Sequence, residues 1–421
     1  MEKIDKYLDE VCECVTSVPH RCIVRRELYK HIEDSMESAG KKDNESKEAI
    51  EHVITDMGTP QEVGSRLNEY FSVRPDFNLF LYILGISGLY TIAGIVTEFS
   101  HIYIELIMTL VTYGVGVCLF FLLKRINPEG KHNLIKYLYF GTLAVMAVIC
   151  LVMNLEMRRD AVSFCGVALS FCLTFWVYRL YKSGTLGAVA VLLLFLLPIP
   201  LLMYATAYAG LVLYIAAGIG TVTYYAVQGW PLKHYARTGL LIAVTVLSGI
   251  MTMLCSSALL WKWNLWNHCF PEGGIDRFSD FSEGFREYPL AVCISRYGFW
   301  ALAAYIVLIL LFLVRLIRMK RKVRYAGAGN VLNCIVLIFF IKSIFAILLN
   351  LGFPFIRSYM LPFAGFGLDQ IANVLLVVMA EYVYCYGDAV FADGRFFEEN
   401  KLLTATPQKA GYGEITESAT E

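Results

Sequence analysis

Charge is scarce in this chain. Only 17% of its 421 residues are Asp, Glu, Lys or Arg, and 36 bases cancel 36 acids. A neutral chain offers no basic footprint, which argues against nucleic acid as a partner. The first 75 residues hold no short apolar core followed by a small-residue cleavage site, so no secretory signal peptide is expected. The twelve cysteines supply no framework of loop disulfides. Cys118, Cys150, Cys165, Cys172 and Cys334 fall in apolar stretches and read as small hydrophobes, and only Cys269 sits clearly in a long loop. Around Cys12, Cys14, His20 and Cys22 no second pair recurs at zinc spacing, and residues two apart on a helix do not share a face. These residues read as packing, and no metal site is expected.

Apolar length is what the chain has in excess. It is 57% hydrophobic, with a mean hydropathy of +0.56. Ten segments are long and apolar enough to cross a bilayer core of roughly 30 Å, which takes about 20 helical residues. They fall near residues 78–98, 102–123, 135–153, 161–181, 185–205, 208–228, 238–257, 297–317, 331–352 and 366–386. Lipid leaves backbone polar groups no partner but their own helix. The expectation is an all-α polytopic membrane protein with ten transmembrane helices. Lys and Arg crowd alternate short loops: Lys124, Arg125, Lys131 and Lys136, then Arg179 and Lys182, Lys233 and Arg237, and Arg315 to Arg324. The opposite loops hold only Arg158, Arg159 and Arg357. The positive-inside bias then places both termini in the cytoplasm, and a long loop at 257–296 on the outer face. That loop mixes aromatic residues (Trp261, Trp263, Trp266) with acids (Glu272, Asp276, Asp280, Glu283, Glu287). Long ordered loops are often functional; an interfacial aromatic belt with solvated acids is the plainer alternative.

Residues 1–73 read as a small cytosolic helical domain. Ile4, Leu8, Val11 and Val15 recur at helical spacing. Pro19 breaks the chain, a second helix runs through Ile23, Leu28 and Ile32, and Ile50 to Met57 mark a third, stopped by Gly58. Thr59-Pro60-Gln61-Glu62 then opens a fourth, with Thr as cap and Pro at the first helical position. The residues Arg26-Glu27-Leu28, His31-Ile32-Glu33-Asp34, Met57-Gly58-Thr59-Pro60 and Val63-Gly64 resemble the HAAS-type domain that precedes membrane permeases and enzymes in Firmicutes. The resemblance implies signalling or interaction rather than catalysis. The polar tail at 388–421 reads as disordered.

A lysine inside a span needs a reason, since one at the centre costs about 2.5–3.5 kcal/mol on insertion scales. Lys342 is such a residue, and Asp369, Glu381 and Glu105 are its candidate partners. The pair lines a polar cavity or ties two helices together. Gly210, Gly218 and Gly220 read as close-packing positions rather than phosphate contacts.

Three motifs carry a second resemblance. Glu287-Tyr-Pro-Leu-Ala-Val-Cys-Ile-Ser-Arg-Tyr-Gly298 is similar to a stretch that begins Asp-Phe-Ile-Phe-Ala-Val and reaches Gly eleven residues after its Asp. Leu361-Pro362-Phe363-Ala-Gly-Phe366-Gly367 is similar to Leu-Pro-Phe-x-Ser-Tyr-Gly-Gly-Ser-Ser, with Asp369 and Gln370 in place of the serines, and Leu351-Gly352-Phe353-Pro354 precedes it. Thr206-Ala207-Tyr208-Ala209-Gly210 falls where Gln-Pro-Asp-Leu-Gly is usual, with Tyr208 at the Asp position. Together with ten spans and a long loop after the seventh, these resemble the SEDS family of FtsW, RodA and SpoVE over residues 78–387. The resemblance implies a role in peptidoglycan assembly and glycosyl transfer on lipid II or another polyprenyl-linked sugar. Glu287 would be the catalytic carboxylate, and Arg286, Arg296, Lys342, Arg357 and Asp369 the substrate-binding residues. A single-span transpeptidase (penicillin-binding protein) would be the partner. No cofactor is implied with certainty, a divalent cation being the one candidate. An inactive membrane regulator and a lipid-linked precursor transporter are the alternative readings.

Overall fold

The computed structural model describes residues 2–38, 47–70, 75–96, 101–125, 132–180, 184–227, 289–290, 293–294, 299–323, 325–350, 361–365 and 367–391. The chain forms two compact units, Met1–Ser72 with Phe391–Glu421, and Val73–Val390. Among the described residues every regular element is helical.

The first unit holds α1 (Glu2–Cys14), α2 (Val18–Ser38), α3 (Lys47–Met57) and α4 (Pro60–Tyr70). Its core is the apolar stripe that the helical period requires: Ile4, Leu8, Val11, Val15, Ile23, Leu28 and Ile32 are all buried. Gly58 ends α3 in the left-handed region, at φ +96°. Thr59 and Glu62 then exchange backbone hydrogen bonds: the Thr59 N–H donates to Glu62 Oε2 and the Glu62 N–H donates to Thr59 Oγ1. This is a reciprocal cap. Asn68 of α4 clasps the end of α1, donating to the Cys14 carbonyl and accepting from the Thr16 N–H. Pro19 differs from expectation. It lies inside the first turn of α2, where a missing N–H costs nothing, and the break is at residues 15–17. Cys12 donates to the Arg21 carbonyl, and His20 is buried beside Ser17. Burial pushes the His20 imidazole down to about 4.

The second unit holds α5 (Phe77–Val96), α6 (Ile102–Lys124), α7 (His132–Val152), α8 (Leu155–Leu180), α9 (Gly184–Leu196), α10 (Ile199–Tyr204) and α11 (Tyr208–Val227). It continues with α12 (Phe299–Lys322), α13 (Ala326–Asn350) and α14 (Leu368–Phe391). Eight spans among the described residues are long and apolar enough to cross a membrane, and the stretch Tyr137–Val152 of α7 is a shorter apolar helix. The protein is therefore a multi-pass membrane protein. The span expected at 238–257 lies outside the described residues, as does most of the loop at 257–296. Pro198 splits the fifth expected span into α9 and α10.

The outer surface is apolar where lipid would lie: Ile104, Ile107, Leu110 and Val111 on α6 are all more than half exposed. In the interior α13 packs on α8, α11 and α12. Helices approach closely at small residues, as membrane packing favours. A Cβ on Gly210 of α11 would lie 2.6 Å from the Ser163 Cα of α8, and one on Gly220 would lie 2.7 Å from Leu337 of α13. The glycines thus have the packing role expected of them. A further difference concerns Arg315, Arg318, Lys320, Arg321 and Lys322, which belong to α12 and not to a short loop.

Candidate functional site

The site is built around residues 361–365, which precede α14. They form a turn hydrogen-bonded to three helices and packed against two more. Gln370, in the first turn of α14, holds it from one side. Its Nε2 donates to the Leu361 and Ala364 carbonyls, both at 2.8 Å, and its Oε1 accepts the Phe363 N–H at 2.8 Å. From the other side, Ser87 of α5 donates to the Phe363 carbonyl at 2.8 Å and Thr109 of α6 donates to the Gly365 carbonyl at 3.1 Å. These bonds hold Phe363 at φ +64°, a region that costs a non-glycine residue about 1–3 kcal/mol. What offsets that cost is burial. The Phe363 ring is fully enclosed and packs against Phe312 of α12 and Phe339 of α13, with centroids 5.2 and 5.4 Å away. Gly365 also has positive φ, and a Cβ there would meet Tyr90 and Glu105 at 3.1–3.3 Å.

Beneath this turn lies the ion pair. Lys342 of α13 is wholly buried, and its Nζ donates to Asp369 Oδ1 and Asn373 Oδ1, each at 2.6 Å. Asn373 in turn donates to Gln370 at 3.0 Å. Of the three acids considered for Lys342, Asp369 is the partner. Glu105 instead accepts from the Tyr90 hydroxyl at 2.6 Å, and Glu381 accepts the Asp76 backbone N–H at 3.1 Å. Lys342 and Asp369 thus meet, and their network leads through Asn373 and Gln370 to the turn.

The turn walls an apolar groove of about 190 Å³. Leu361 and Ala364 form one side, Tyr90 and its neighbours on α5 a second, Ala301, Ala304 and Tyr305 of α12 a third, and Pro289, Leu290 and Cys293 a fourth. The Leu290 N–H donates to Asn350 Oδ1 at 2.9 Å, which fixes that segment to the end of α13. Burial pushes the Cys293 thiol up to about 11. Glu287, Arg286, Arg296 and Arg357 lie outside the described residues. Tyr208 opens α11 half-buried, two residues after Thr206, which also has positive φ, at +55°. Sequence reading placed Gln370 in the motif without a role for it and passed over Ser87, Thr109 and Asn350, each a polar residue within an apolar span.

No family model matches the chain, and no curated protein does. Solved structures do. One is an aspartate-to-alanine variant of the rod shape determining protein RodA of Thermus thermophilus, at TM-score 0.54 and 17% identity, covering 75% of this chain and 98% of that one. Another comes from work on the structural coordination of polymerization and crosslinking by a peptidoglycan synthase complex, at TM-score 0.53 and 15% identity, covering 74% and 98%. The chain has a RodA-like fold. The RodA-like fold spans nearly the whole of both solved chains and leaves about a quarter of this one unmatched.

Proposed function

We propose that this protein acts in peptidoglycan assembly by polymerising lipid II, or a similar polyprenyl-linked sugar, by glycosyl transfer at the outer membrane surface, with both termini cytoplasmic. The observation that carries this reading is the groove. Its lining is apolar, as a polyprenyl chain requires, and one side of it is formed by the segment that follows Glu287 in the chain. Leu290 is three residues beyond Glu287, a covalent reach of about 10 Å. A carboxylate within that reach of a lipid groove sits near the sugar that the lipid carries.

In this reading Glu287 takes the proton from the 4-hydroxyl of the acceptor sugar. The freed oxygen attacks the anomeric carbon of the donor, the glycosidic bond forms, and the bond to the polyprenyl pyrophosphate breaks. General-base help of this kind is worth about 10²–10⁴-fold. The departing pyrophosphate is anionic and needs fixed positive charge, which Arg286, Arg296 and Arg357 would supply. Among the described residues no three His, Cys, Asp or Glu side chains converge as a metal site would require, so no step is drawn through a divalent cation. Lys342 and Asp369 spend their charges on each other and position the turn that walls the groove. The similarity to a chain from a peptidoglycan synthase complex supports a single-span transpeptidase, a penicillin-binding protein, as partner.

The test is polymerisation of lipid II by the purified chain in proteoliposomes, with Glu287→Ala and Glu287→Asp alongside. Glycan strands from the wild type, their loss by about 10²-fold or more in Glu287→Ala, and partial activity in Glu287→Asp are expected. An unchanged rate in a folded Glu287→Ala variant would remove the base from the mechanism. No polymer from any form would leave a membrane regulator as the better reading.

A further inference from the structure

The groove is walled by α5, by α12 and by the turn that Gln370 of α14 holds, and those three helices are joined again at a second place. Asp76, the residue before α5, caps that helix: its Oδ1 accepts the Asn78 N–H at 3.2 Å and its carbonyl accepts the Leu79 N–H at 3.0 Å. The same carboxylate takes both guanidinium arms of Arg315 on α12, Nη2 to Oδ1 at 2.7 Å and Nε to Oδ2. The Asp76 backbone N–H donates to Glu381 Oε2 on α14 at 3.1 Å. Asp76 and Glu381 are both buried. Glu381 Oε1 is also enclosed and has no partner among the described residues. One residue thus holds three helices through three different groups: side chain, carbonyl and amide.

α5 and α12 line the groove, and α14 holds its turn, ten or more residues away. From Asp76 it is ten residues to Ile86 and fourteen to Tyr90. From Arg315 it is ten to Tyr305 and fourteen to Ala301. From Glu381 it is eleven to Gln370. At 1.5 Å per residue the two places are about 15–20 Å apart along the helices. A straight helix carries a tilt at one end to the other. The fixed point is also the first described acid after the end of the N-terminal unit at Ser72, four residues earlier in the chain.

We propose that Asp76 is a positioning residue: by tying the start of α5 to Arg315 and Glu381 it sets the separation of α5 from α12 and α14 at the groove, and so governs access to it. The proposal deepens the lipid-groove reading above and rests on it for its meaning. It does not rest on activity for its test, because the groove contains a native reporter. Cys293 lines the groove and is buried, with a thiol that burial keeps protonated. Cys334 on α13 is buried away from the groove and reports general loosening.

The experiment is N-ethylmaleimide labelling of the full chain in proteoliposomes, with each cysteine read by peptide mass spectrometry. Asp76→Asn should speed labelling of Cys293 about fivefold or more while leaving Cys334 unchanged. Arg315→Gln should do the same. Glu381→Gln keeps an acceptor for the Asp76 N–H and should label as wild type, whereas Glu381→Ala should not. The exchanged pair, Asp76→Arg with Arg315→Asp, should return Cys293 towards the wild-type rate. Unchanged Cys293 labelling in both Asp76→Asn and Arg315→Gln would overturn the proposal, as would equal acceleration at Cys334. Should Asp76→Asn fail to accumulate, Arg315→Gln breaks the same pair and is judged by the same standard. If labelling responds as stated but lipid II is not polymerised, the positioning role survives and the enzymatic reading fails.

Discussion

Replacing Asp369 by Asn should destabilise the protein more than replacing Lys342 by Met, although both break one ion pair. The asymmetry follows from burial. Lys342 is 0% exposed, whereas the Asp369 side chain keeps 33% exposure. Asp369→Asn strands an ammonium with no route to water, and removing one partner of a buried pair costs about 3–5 kcal/mol. Lys342→Met leaves a carboxylate that is one third exposed, though its Oδ2 is enclosed, and that lies in the first turn of α14, where the helix dipole favours negative charge by about 0.3–1 kcal/mol. It also removes a group whose insertion costs about 2.5–3.5 kcal/mol. The net loss should be about 1–2 kcal/mol, most of it from the Asn373 oxygen left without its donor. The double variant Lys342→Met with Asp369→Asn should return to within about 1 kcal/mol of wild type, because two neutral groups replace the pair. Equilibrium unfolding of the detergent-solubilised chain, followed by tryptophan fluorescence, gives all three values. A reversed order of the single variants, or a double variant equal to their sum, would refute the reasoning.

Two further outcomes follow from packing and from titration. Gly210→Ala should weaken the joint between α8 and α11 by at least about 1–3 kcal/mol, since its Cβ would meet the Ser163 backbone. Gly114→Ala, with nothing within 4 Å, should be silent in the same unfolding measurement. The N-terminal helices should lose stability in acid. His20 has a folded value near 4 against about 6.5 unfolded, so protonation favours the unfolded state. The contribution is complete above about pH 6.5 and falls by about 2 kcal/mol by pH 5. Hydrogen exchange across α1–α4 should show this loss, and His20→Gln should abolish its pH dependence.

Hydropathy located the described spans to within a few residues, because length and apolar content are properties of a segment alone. The caps at Gly58 and Thr59 were legible for the same reason: their partners lie three residues away. Pairings between helices were not. Lys342 had to have a partner, yet three acids qualified, and the choice depends on how α6, α13 and α14 are rotated about their axes. Arg315 shows the other limit. Counted as one charge of a cytoplasmic loop, it has a specific partner in Asp76, 239 residues away in the chain. The role of Gln370 was hidden because three of its side-chain bonds serve a turn whose shape follows from the burial of Phe363. No local rule foresees a phenylalanine in the left-handed region.

The way the 361–365 turn is held also bears on biosynthesis. Every group that grips it from outside, on α5, α6, α12 and α13, leaves the ribosome before the turn does, and Gln370 follows immediately after. The wall that Leu361 and Ala364 give the groove is therefore completed only once α14 has been made, and a nascent chain that stops short of Gln370 holds an unfinished groove.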